Sequence, residues 1–520
     1  MTIKRHCMGI IFLIIALIGC APLLKGKYQL SDVSYGQLTI FLNGPERTSL
    51  DITFDLTEVS VMAQDGTWKQ VMNTPLSLNS IDMVGRQVLL GERYLPEERY
   101  EKIRFQVRQA WLRRKGRLAS LALPSEGIEL AINIAVYEGQ NTSLFLNWNP
   151  DTSIIDGYLF TPVFAIKTKV PELRTLLIYV TNEGSDNVSV VNRQLGTVVA
   201  TVKVGRAPRG IAISPNGRGI KVYVANSGSN SISVIDPTTN KVEHEIPIKF
   251  GREPEGIALA TISTGKDVLF VTNYASNTVS VVDTITYQEV ERIEVGNGPI
   301  AVVTDPPIET LTQARGLSFE DLNKLRSYRE RYFNVYVANK NSNNVSILKM
   351  DVSKNRCQEV INLELEWSPM ALAVDYQKGK VYVANYGSNN LSVIDVLQII
   401  KGNKDGALSA ISNVGTSGIG VAVDPYFDRI YLLRERPGEV VFIKPLSEIS
   451  GQLRMIMNPI TGTVAVGKSP RTIGMDPEAR KIYVVNRGSN NISVIDKTTK
   501  REEQVIPVSE RPYGIAVFPY

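Results

Sequence analysis

A five-residue segment recurs seven times in the C-terminal two-thirds of the chain, and this repetition constrains the fold more than any other feature. The copies are Ile178–Asn182, Val222–Asn226, Leu269–Asn273, Val335–Asn339, Val381–Asn385, Ile430–Arg434 and Ile482–Asn486. Apart from one longer gap, the last residues of successive copies lie 44 to 52 residues apart. Repeats at this spacing are typical of arrays in which each unit buries its apolar face against its neighbours. The gap between Asn273 and Asn339 is longer by about 20 residues, which indicates an insertion.

Each unit reads as four short strands joined by tight turns. In the second unit the strand-like runs are Gly210–Ser214, Lys221–Ala225, Ser231–Ile235 and Lys241–Ile246. Between the second and third runs stands Ser227-Gly228-Ser229-Asn230, in which Gly and Asn suit left-handed turn positions. The pattern predicts a four-stranded antiparallel sheet in every unit.

The motifs Val381-Tyr382-Val383-Ala384-Asn385 and Ser392-Val393-Ile394-Asp395 closely resemble those of the YVTN family of β-propellers. This resemblance covers residues 176–520 and implies an all-β fold, a seven-bladed β-propeller. The first unit begins at its second strand near Leu176, whereas Pro512–Val517 matches a first strand. We therefore expect the C-terminal strand to complete the first sheet and close the ring, which removes exposed edges.

The long spacing holds an insertion at 306–333. Within it, Ser318 precedes Leu322, Leu325 and Tyr328 in the pattern of a capped helix. We expect the helix to project from the face opposite the Gly-Ser-Asn hairpins, as either a docking surface or a tolerated loop insertion.

Residues 32–170 lack the repeat but contain several strand-like runs, which predict a separate β-sandwich. The segments Leu95–Arg104, Leu123–Gly127 and Asp151–Ile154 resemble an uncharacterised prealbumin-like domain family found at the front of bacterial lipoproteins. A basic cluster, Arg113–Arg117, reads as a hairpin tip that either is solvated or contacts anionic lipid headgroups.

Residues 1–19 read as a secretory signal, with Lys4 and Arg5 before an apolar run that is too short to span a bilayer. The segment Leu17-Ile18-Gly19-Cys20 resembles a bacterial lipobox, which implies that Cys20 carries lipid and that 20–31 is a tether. An ordinary signal peptide with an incidental cysteine is the alternative. We expect an exported, lipid-anchored protein of the cell envelope, and Ala21 points by resemblance to the outer membrane.

Composition excludes several kinds of chemistry. The chain has 2 histidines and 3 cysteines, and its formal net charge is +5. His244 lies in an outer strand-like run, and Cys357 has no histidine near it in sequence, so we predict no catalytic residue, metal site or cofactor. So small a charge excess on so long a chain also argues against a nucleic-acid partner. We expect a monomer.

Function in a repeat ring is better sought where equivalent positions differ. The residues that follow the start of each first strand should line the channel mouth: Arg209, Glu255, Ile300, Met370, Ile419, Arg471 and Tyr513. Those that follow the repeated Asn should lie on the same face: Glu183, Ser227, Tyr274, Lys340, Tyr386, Glu435 and Arg487. The sixth copy departs furthest, with Arg434, Glu435 and Arg436.

The candidate binding residues are therefore charged or aromatic members of these positions: Arg209, Glu255, Arg471, Tyr513, Arg434, Glu435, Arg436, Arg487, Tyr274 and Tyr386. They suit a protein loop or a small anionic or glycan ligand. We expect an Arg209→Ala/Arg471→Ala variant to fold normally and lose capture of that partner.

Two other functions compete with a binding or scaffolding role. A lyase or lactonase at the channel mouth, the activity of some similar propellers, could use Glu255 as base and Arg209 or Arg471 as oxyanion stabiliser. Single-stranded DNA binding, attributed to one periplasmic YVTN relative, needs a basic aromatic groove that the near-neutral charge does not support. A merely solvated rim also remains open.

Overall fold

The computed structural model describes residues 34–125, 127–167, 172–214, 219–261, 267–306, 317–444, 459–476 and 480–518, and the backbone of 447–449 and 452–454. The signal, Cys20 and the whole tether that the sequence predicts lie outside these residues. The described chain is all-β, with two short α-helices. None of the helices among the described residues is long and apolar enough to cross a membrane.

The N-terminal domain, from residue 34 to 167, contains two β-sheets and a short hairpin. Its strands are β1 (Tyr35–Asn43), β2 (Asp51–Ala63), β3 (Trp68–Gln70), β4 (Leu76–Asn79), β5 (Gln87–Pro96), β6 (Arg99–Arg114), β7 (Arg117–Leu121), β8 (Ile128–Ala135), β9 (Asn141–Asn149), β10 (Ile154–Ile155), β11 (Leu159–Phe160) and β12 (Val163–Ile166). One sheet has the order β12-β9-β1-β5, with β1 and β9 parallel. The other has the order β3-β2-β6-β7, with β4 paired to β2 and β8 to β6.

The two sheets of the N-terminal domain share one core because their strands alternate buried and partly exposed residues. In β2, Ile52, Phe54 and Leu56 are buried while their neighbours are not, which is the two-residue period of a strand with one face covered. The Phe54 ring meets Trp148 of the other sheet edge to face, with 5.1 Å between ring centroids.

Residues 172–518 form a ring of sheets. Its strands are β13 (Leu177–Asn182), β14 (Asn187–Asn192), β15 (Thr197–Lys203), β16 (Pro208–Ile213), β17 (Val222–Asn226), β18 (Ser231–Asp236), β19 (Lys241–Pro247), β20 (Pro254–Thr261), β21 (Asp267–Asn273), β22 (Thr278–Asp283), β23 (Gln288–Glu294), β24 (Pro299–Thr304), β25 (Tyr332–Asn339), β26 (Asn344–Asp351), β27 (Arg356–Glu364), β28 (Pro369–Asp375), β29 (Lys380–Asn385), β30 (Asn390–Asp395), β31 (Leu408–Ser412), β32 (Gly418–Asp424), β33 (Arg429–Arg434), β34 (Glu439–Ile443), β35 (Ser447–Ile449), β36 (Gln452–Arg454), β37 (Ile460–Ala465), β38 (Pro470–Met475), β39 (Lys481–Asn486), β40 (Asn491–Asp496), β41 (Arg501–Pro507) and β42 (Pro512–Val517). The helices are α1 (Phe319–Arg329) and α2 (Val396–Ile400).

Within the described part of this region the strands pair as seven four-stranded antiparallel sheets. Their orders are β15-β14-β13-β42, β16-β17-β18-β19, β20-β21-β22-β23, β24-β25-β26-β27, β28-β29-β30-β31, β32-β33-β34-β37 and β38-β39-β40-β41. The first strands contact one another in a closed cycle, from β16 through β20, β24, β28, β32 and β38 to β42 and back to β16. This is the radial arrangement of a β-propeller.

The ring is held by burial between neighbouring sheets. Every residue of β13 and β14 is buried, whereas the outer strand β19 is exposed at all positions except Ile246. The last strand, β42, pairs antiparallel with β13, and Ile178 stands opposite Val517. That is the closure that the phase of the repeats predicts, and it covers the edge of β13 with the innermost strand of a four-stranded sheet.

The insertion contains the helix that the sequence predicts. The Ser318 hydroxyl caps α1 by accepting a hydrogen bond from the Asp321 backbone N–H at 3.1 Å. The helix lies beside α2 of the next unit, where Lys401 and Asp321 form an ion pair at 3.0 Å.

The N-terminal domain packs against the first sheet of the ring through both apolar and polar contacts. The rings of Phe41 and Phe145 stack at 5.4 Å and join a buried cluster that includes Ile178. The half-buried Glu92 accepts hydrogen bonds from Asn187 at 2.5 Å and Ser509 at 3.0 Å. These contacts involve the hairpin of the first unit, at Ser185 and Asn187.

Candidate binding site at the channel mouth

The same backbone conformation at the start of each first strand directs one side chain from each sheet into the channel. The residue just before each first strand has a positive φ, as at Glu253 (53°) and Ser469 (47°). A register shift then follows within the first residues of the strand, so that the next residue, Glu255 or Arg471, leaves the regular pairing. We call the seven residues so placed the channel mouth: Arg209, Glu255, Ile300, Met370, Ile419, Arg471 and Tyr513.

These seven residues line a single cavity of 410 Å³, which continues into a narrower channel of 210 Å³ along the first strands. The second ring of positions contributes Glu183, Tyr274, Lys340, Glu435 and Arg487 to the same cavity. The structure therefore brings together seven of the ten candidate residues, all except Tyr386, Arg434 and Arg436. Following the cycle of first strands, the polar residues are contiguous and so are the apolar ones.

The polar half consists of Arg471, Tyr513, Arg209 and Glu255, in which both arginines share one carboxylate. The Glu255 carboxylate, only 3% exposed, pairs with Arg209 at 2.5 Å and with Arg471 at 3.4 Å. The Tyr513 hydroxyl donates to Glu255 and accepts from Arg471. The Arg471 guanidinium also lies over the Tyr513 ring, 4.4 Å from its centroid.

A second carboxylate completes this network at the rim. Glu183 pairs with Arg209 at 2.9 Å and with Arg487 at 2.6 Å, and Arg511 approaches it at 3.4 Å. Arg209 thus bridges two carboxylates, as a planar guanidinium with several donors can. The arginines that the sequence offers for an anionic ligand are already paired with glutamates of the chain.

The protonation states follow from burial and these neighbours. Burial alone would lower the pKa of Arg209, but Glu255, Tyr513 and Glu183 outweigh it and raise that pKa. Burial and then the Glu255 charge raise the pKa of Tyr513, so its hydroxyl remains a donor. To act as a base, Glu255 would have to lose its ion pairs with Arg209 and Arg471 and its hydrogen bond from Tyr513. The geometry therefore does not favour a lyase or lactonase role.

The apolar half consists of Ile300, Met370 and Ile419, which are 8%, 7% and 6% exposed. They belong to one buried cluster, against which the rings of Tyr274 and Tyr386 pack. The Tyr386 hydroxyl donates to Glu435 at 2.6 Å, and Asn341 donates to the Tyr274 hydroxyl at 3.3 Å. This half offers an apolar floor with the ring of Tyr274 at its edge, while Tyr386 packs against the same cluster outside the cavity lining.

The repeated asparagine of the hairpin face belongs to the scaffold. In six sheets its buried Nδ2 donates to the side chains five and seven residues later; in the third sheet Asn273 reaches Thr278 at 3.1 Å and Ser280 at 2.9 Å. In the sixth copy Arg434 replaces this asparagine and pairs with Glu439, five residues later, at 2.8 Å. Arg434 therefore substitutes for the scaffold bond, while Arg436 is exposed on the same hairpin.

Three charged residues that line the cavity, Glu183, Glu253 and Lys340, were not among the sequence candidates, and Lys340 is the cation among them. Lys340 lines the cavity beside the apolar half, and among the described residues no carboxylate lies within ion-pair distance of its ammonium. The sequence places it in the second ring of positions, but only the pairing of every neighbouring arginine sets it apart.

The remaining chemical candidates lie elsewhere. Burial raises the pKa of the Cys357 thiol to about 11, which keeps it protonated and unreactive at neutral pH. His244 stacks on Tyr287, with 4.5 Å between ring centroids, on the outer strand β19. Among the described residues, no group of three or more His, Cys, Asp or Glu side chains is arranged to hold a metal ion.

Comparisons with known proteins find a family model that matches the N-terminal domain and solved structures that are similar to the ring. Residues 37–162 match the model of a domain of unknown function, DUF4382. No curated protein sequence matches the chain. Among solved structures, Kuenenia stuttgartiensis hydrazine synthase is 19% identical, with a TM-score of 0.48 over 66% of this chain and 99% of that one.

Two further structures are similar over the same share of the chain. A putative 6-phosphogluconolactonase from Bacteroides uniformis is 15% identical, with a TM-score of 0.47 over 66% of this chain and 99% of its own. Apo AztD from Citrobacter koseri is 12% identical, with a TM-score of 0.40 over 65% of this chain and 96% of its own. At these identities and scores, the activities in those names belong to those proteins alone.

Proposed function

We propose that this chain is a binding protein of the cell envelope, whose ring presents the channel mouth to a ligand or partner. In this proposal the ring is a seven-bladed propeller of the YVTN type, and the N-terminal domain is a prealbumin-like sandwich that holds it. Lipid on Cys20 and the tether at 20–31 anchor both to the outer membrane.

The asymmetry of the channel mouth carries the proposal. A ring built of similar units needs no particular residue at its mouth, yet these seven positions hold four interlocked polar residues and three apolar ones around a 410 Å³ cavity. A concave site that combines apolar side chains with fixed polar groups is a usual form of small-molecule site. Because Glu255 is held by Arg209, Arg471 and Tyr513, binding fits this site better than catalysis.

The test compares what the full chain retains when it is purified in detergent from its native host. Met370→Trp should fill the apolar half, and Ile300→Phe should fill it less. Ile285→Trp is the matched control, because Ile285 is 55% exposed and does not line the cavity. Mass spectrometry of the intact complexes should show a co-purifying molecule with the parent and the control but not with Met370→Trp.

The same retained molecules in the parent, the filled variants and the control would contradict binding at the mouth. Thermal unfolding of each variant shows whether the tryptophan has disturbed the ring. If Met370→Trp is destabilised, Ile300→Phe supplies the comparison.

A further inference from the structure

We propose that the ligand of the channel mouth is a small amphipathic monoanion, whose flat apolar body lies on the apolar half and whose single anionic group is bound by Lys340. This inference rests on the proposed function and deepens it. It replaces Arg209 and Arg471, the anion-binding residues that the sequence favours, by a lysine outside the candidate set.

The arginines of the cavity are held by carboxylates of the chain. Arg209, Arg471 and Arg487 all have carboxylate partners in the chain, at distances of 2.5 to 3.4 Å. An anion that approached these arginines would compete with Glu183 and Glu255, which are 8% and 3% exposed. A buried pair that loses one member leaves an uncompensated charge, so these arginines are poor ligand contacts.

Lys340 differs from the arginines in two respects. Among the described residues it has no ion-pair partner, and it follows β25 directly. The channel-mouth residue of its own sheet is the apolar Ile300, whereas Arg487, which follows β39 in the same way, shares its sheet with Arg471. Its backbone is fixed because its N–H donates to Gly298 O at 3.0 Å. A lysine in this position keeps its three donors for a bound group.

The apolar half sets the shape of the ligand. Ile300, Met370 and Ile419 leave little of their surface exposed, and Tyr274 and Tyr386 pack at the edge of the same cluster. The ring of Tyr274 also lies against Gly298, where an added Cβ would stand 3.2 Å from its Cε2 atom. Aromatic side chains held in this way favour a flat apolar body over an extended polar chain.

The acidic residues of the cavity limit the ligand's charge. Glu253 lines the cavity and is exposed, and Glu435 lines it while accepting the Tyr386 hydrogen bond. A second anionic group on the ligand would meet one of these carboxylates. One charge beside an apolar body therefore fits the site, and polyanions such as nucleic acids or polyphosphates do not.

The experiment uses an isosteric pair of probes, 2-naphthoate and its neutral amide, 2-naphthamide, titrated into the detergent-purified full chain by calorimetry against a detergent blank. We expect the parent to bind the carboxylate at least about tenfold more tightly than the amide, the advantage of one charge-assisted contact. Lys340→Met should bring the two Kd values within about threefold of each other. Lys468→Met is the matched control, because Lys468 is exposed at the entry to β38 and does not line the cavity, and it should keep the parental ratio.

A second pair of variants tests the apolar contact. Tyr274→Ala should weaken both probes, whereas Tyr274→Phe, which keeps the ring, should bind both as the parent does. The inference is overturned if the parent binds neither probe saturably, if Lys340→Met keeps the parental ratio, or if Lys468→Met lowers it equally. Preserved thermal unfolding in Lys340→Met separates a lost contact from lost structure.

The failure of this inference is distinguishable from failure of the proposed function. If Met370→Trp no longer retains the envelope molecule while Lys340→Met keeps the parental ratio of the two Kd values, the proposed binding role is supported and the monoanionic ligand is rejected. If the probes depend on Lys340 while the filled variants retain the same envelope molecules, the binding role falls.

Discussion

The two halves of the channel mouth are built from equivalent positions of the same repeat, yet they do opposite things. In the polar half, Arg209, Glu255, Arg471 and Tyr513 satisfy one another and bury their charges. In the apolar half, Ile300, Met370 and Ile419 leave a floor above which Lys340 has no partner among the described residues. Charged residues at such a mouth can therefore serve the scaffold, while the surface that we propose for binding is apolar.

Deleting residues 512–520 should have the largest effect, because it removes both Tyr513 and the strand that closes the ring. β13 would then present an open edge, and the buried faces of the first and last sheets would reach water. We expect aggregation on size-exclusion chromatography and rapid limited proteolysis. A deleted protein that stays monomeric and resists proteolysis as the parent does would show that β42 does not hold the ring.

Removing both arginines of the polar half should cost stability first and binding only as a consequence. In Arg209→Ala/Arg471→Ala, Glu255, which is 3% exposed in the parent, loses both of its cations, and we expect this to cost about 3–5 kcal/mol of the free energy of unfolding. This revises the expectation from sequence that the variant folds normally. Lys340→Met should change the same free energy by less than about 0.5 kcal/mol.

Chemical denaturation of these variants at equilibrium gives the comparison. The control replaces the network by apolar residues, Arg209→Met/Glu255→Met/Arg471→Met/Tyr513→Phe, and should regain most of the lost stability because no charge is left unpaired. If the double alanine variant unfolds at the parental denaturant midpoint, the polar half does not stabilise the ring.

The same small substitution in each half should give a smaller, graded difference. Tyr513→Phe removes a buried hydroxyl bonded to Glu255 and Arg471, and should cost about 1.5–3 kcal/mol. Tyr386→Phe removes a half-buried hydroxyl bonded to Glu435, and should cost about 0.5–1.5 kcal/mol. Equal losses in thermal or chemical unfolding would mean that the two halves do not differ in how tightly they are built.

Much of the fold could be predicted from the sequence because the repeat encodes it locally. The spacing of the Val-Tyr-Val-Ala-Asn copies predicts the sheets, and the phase of Pro512–Val517 predicts its pairing with the strand at Ile178. The residues facing the channel could also be predicted, since every unit bends its first strand at the same point. Ser318 marks the start of α1.

The choice of partners among side chains could not be predicted in the same way. Glu255 and Arg471 lie on sheets that are far apart in sequence, and only the closed ring brings them to 3.4 Å. The importance of Lys340 depends on every nearby arginine being paired, which no local pattern reports. The pairing of Arg434 with Glu439 could have been predicted from the sequence, because both residues replace members of a repeated hydrogen bond within one hairpin.

We propose that the polar half stabilises the ring, whereas the apolar half and Lys340 bind the ligand. The most direct measurement is the amount of co-purifying molecule that the full chain retains from its native envelope, compared between Lys340→Met and the apolar replacement of Arg209, Glu255, Arg471 and Tyr513. The account predicts that the apolar replacement retains the molecule at the parental level and that Lys340→Met loses it. Retention by Lys340→Met together with loss in a stably folded apolar replacement would contradict it.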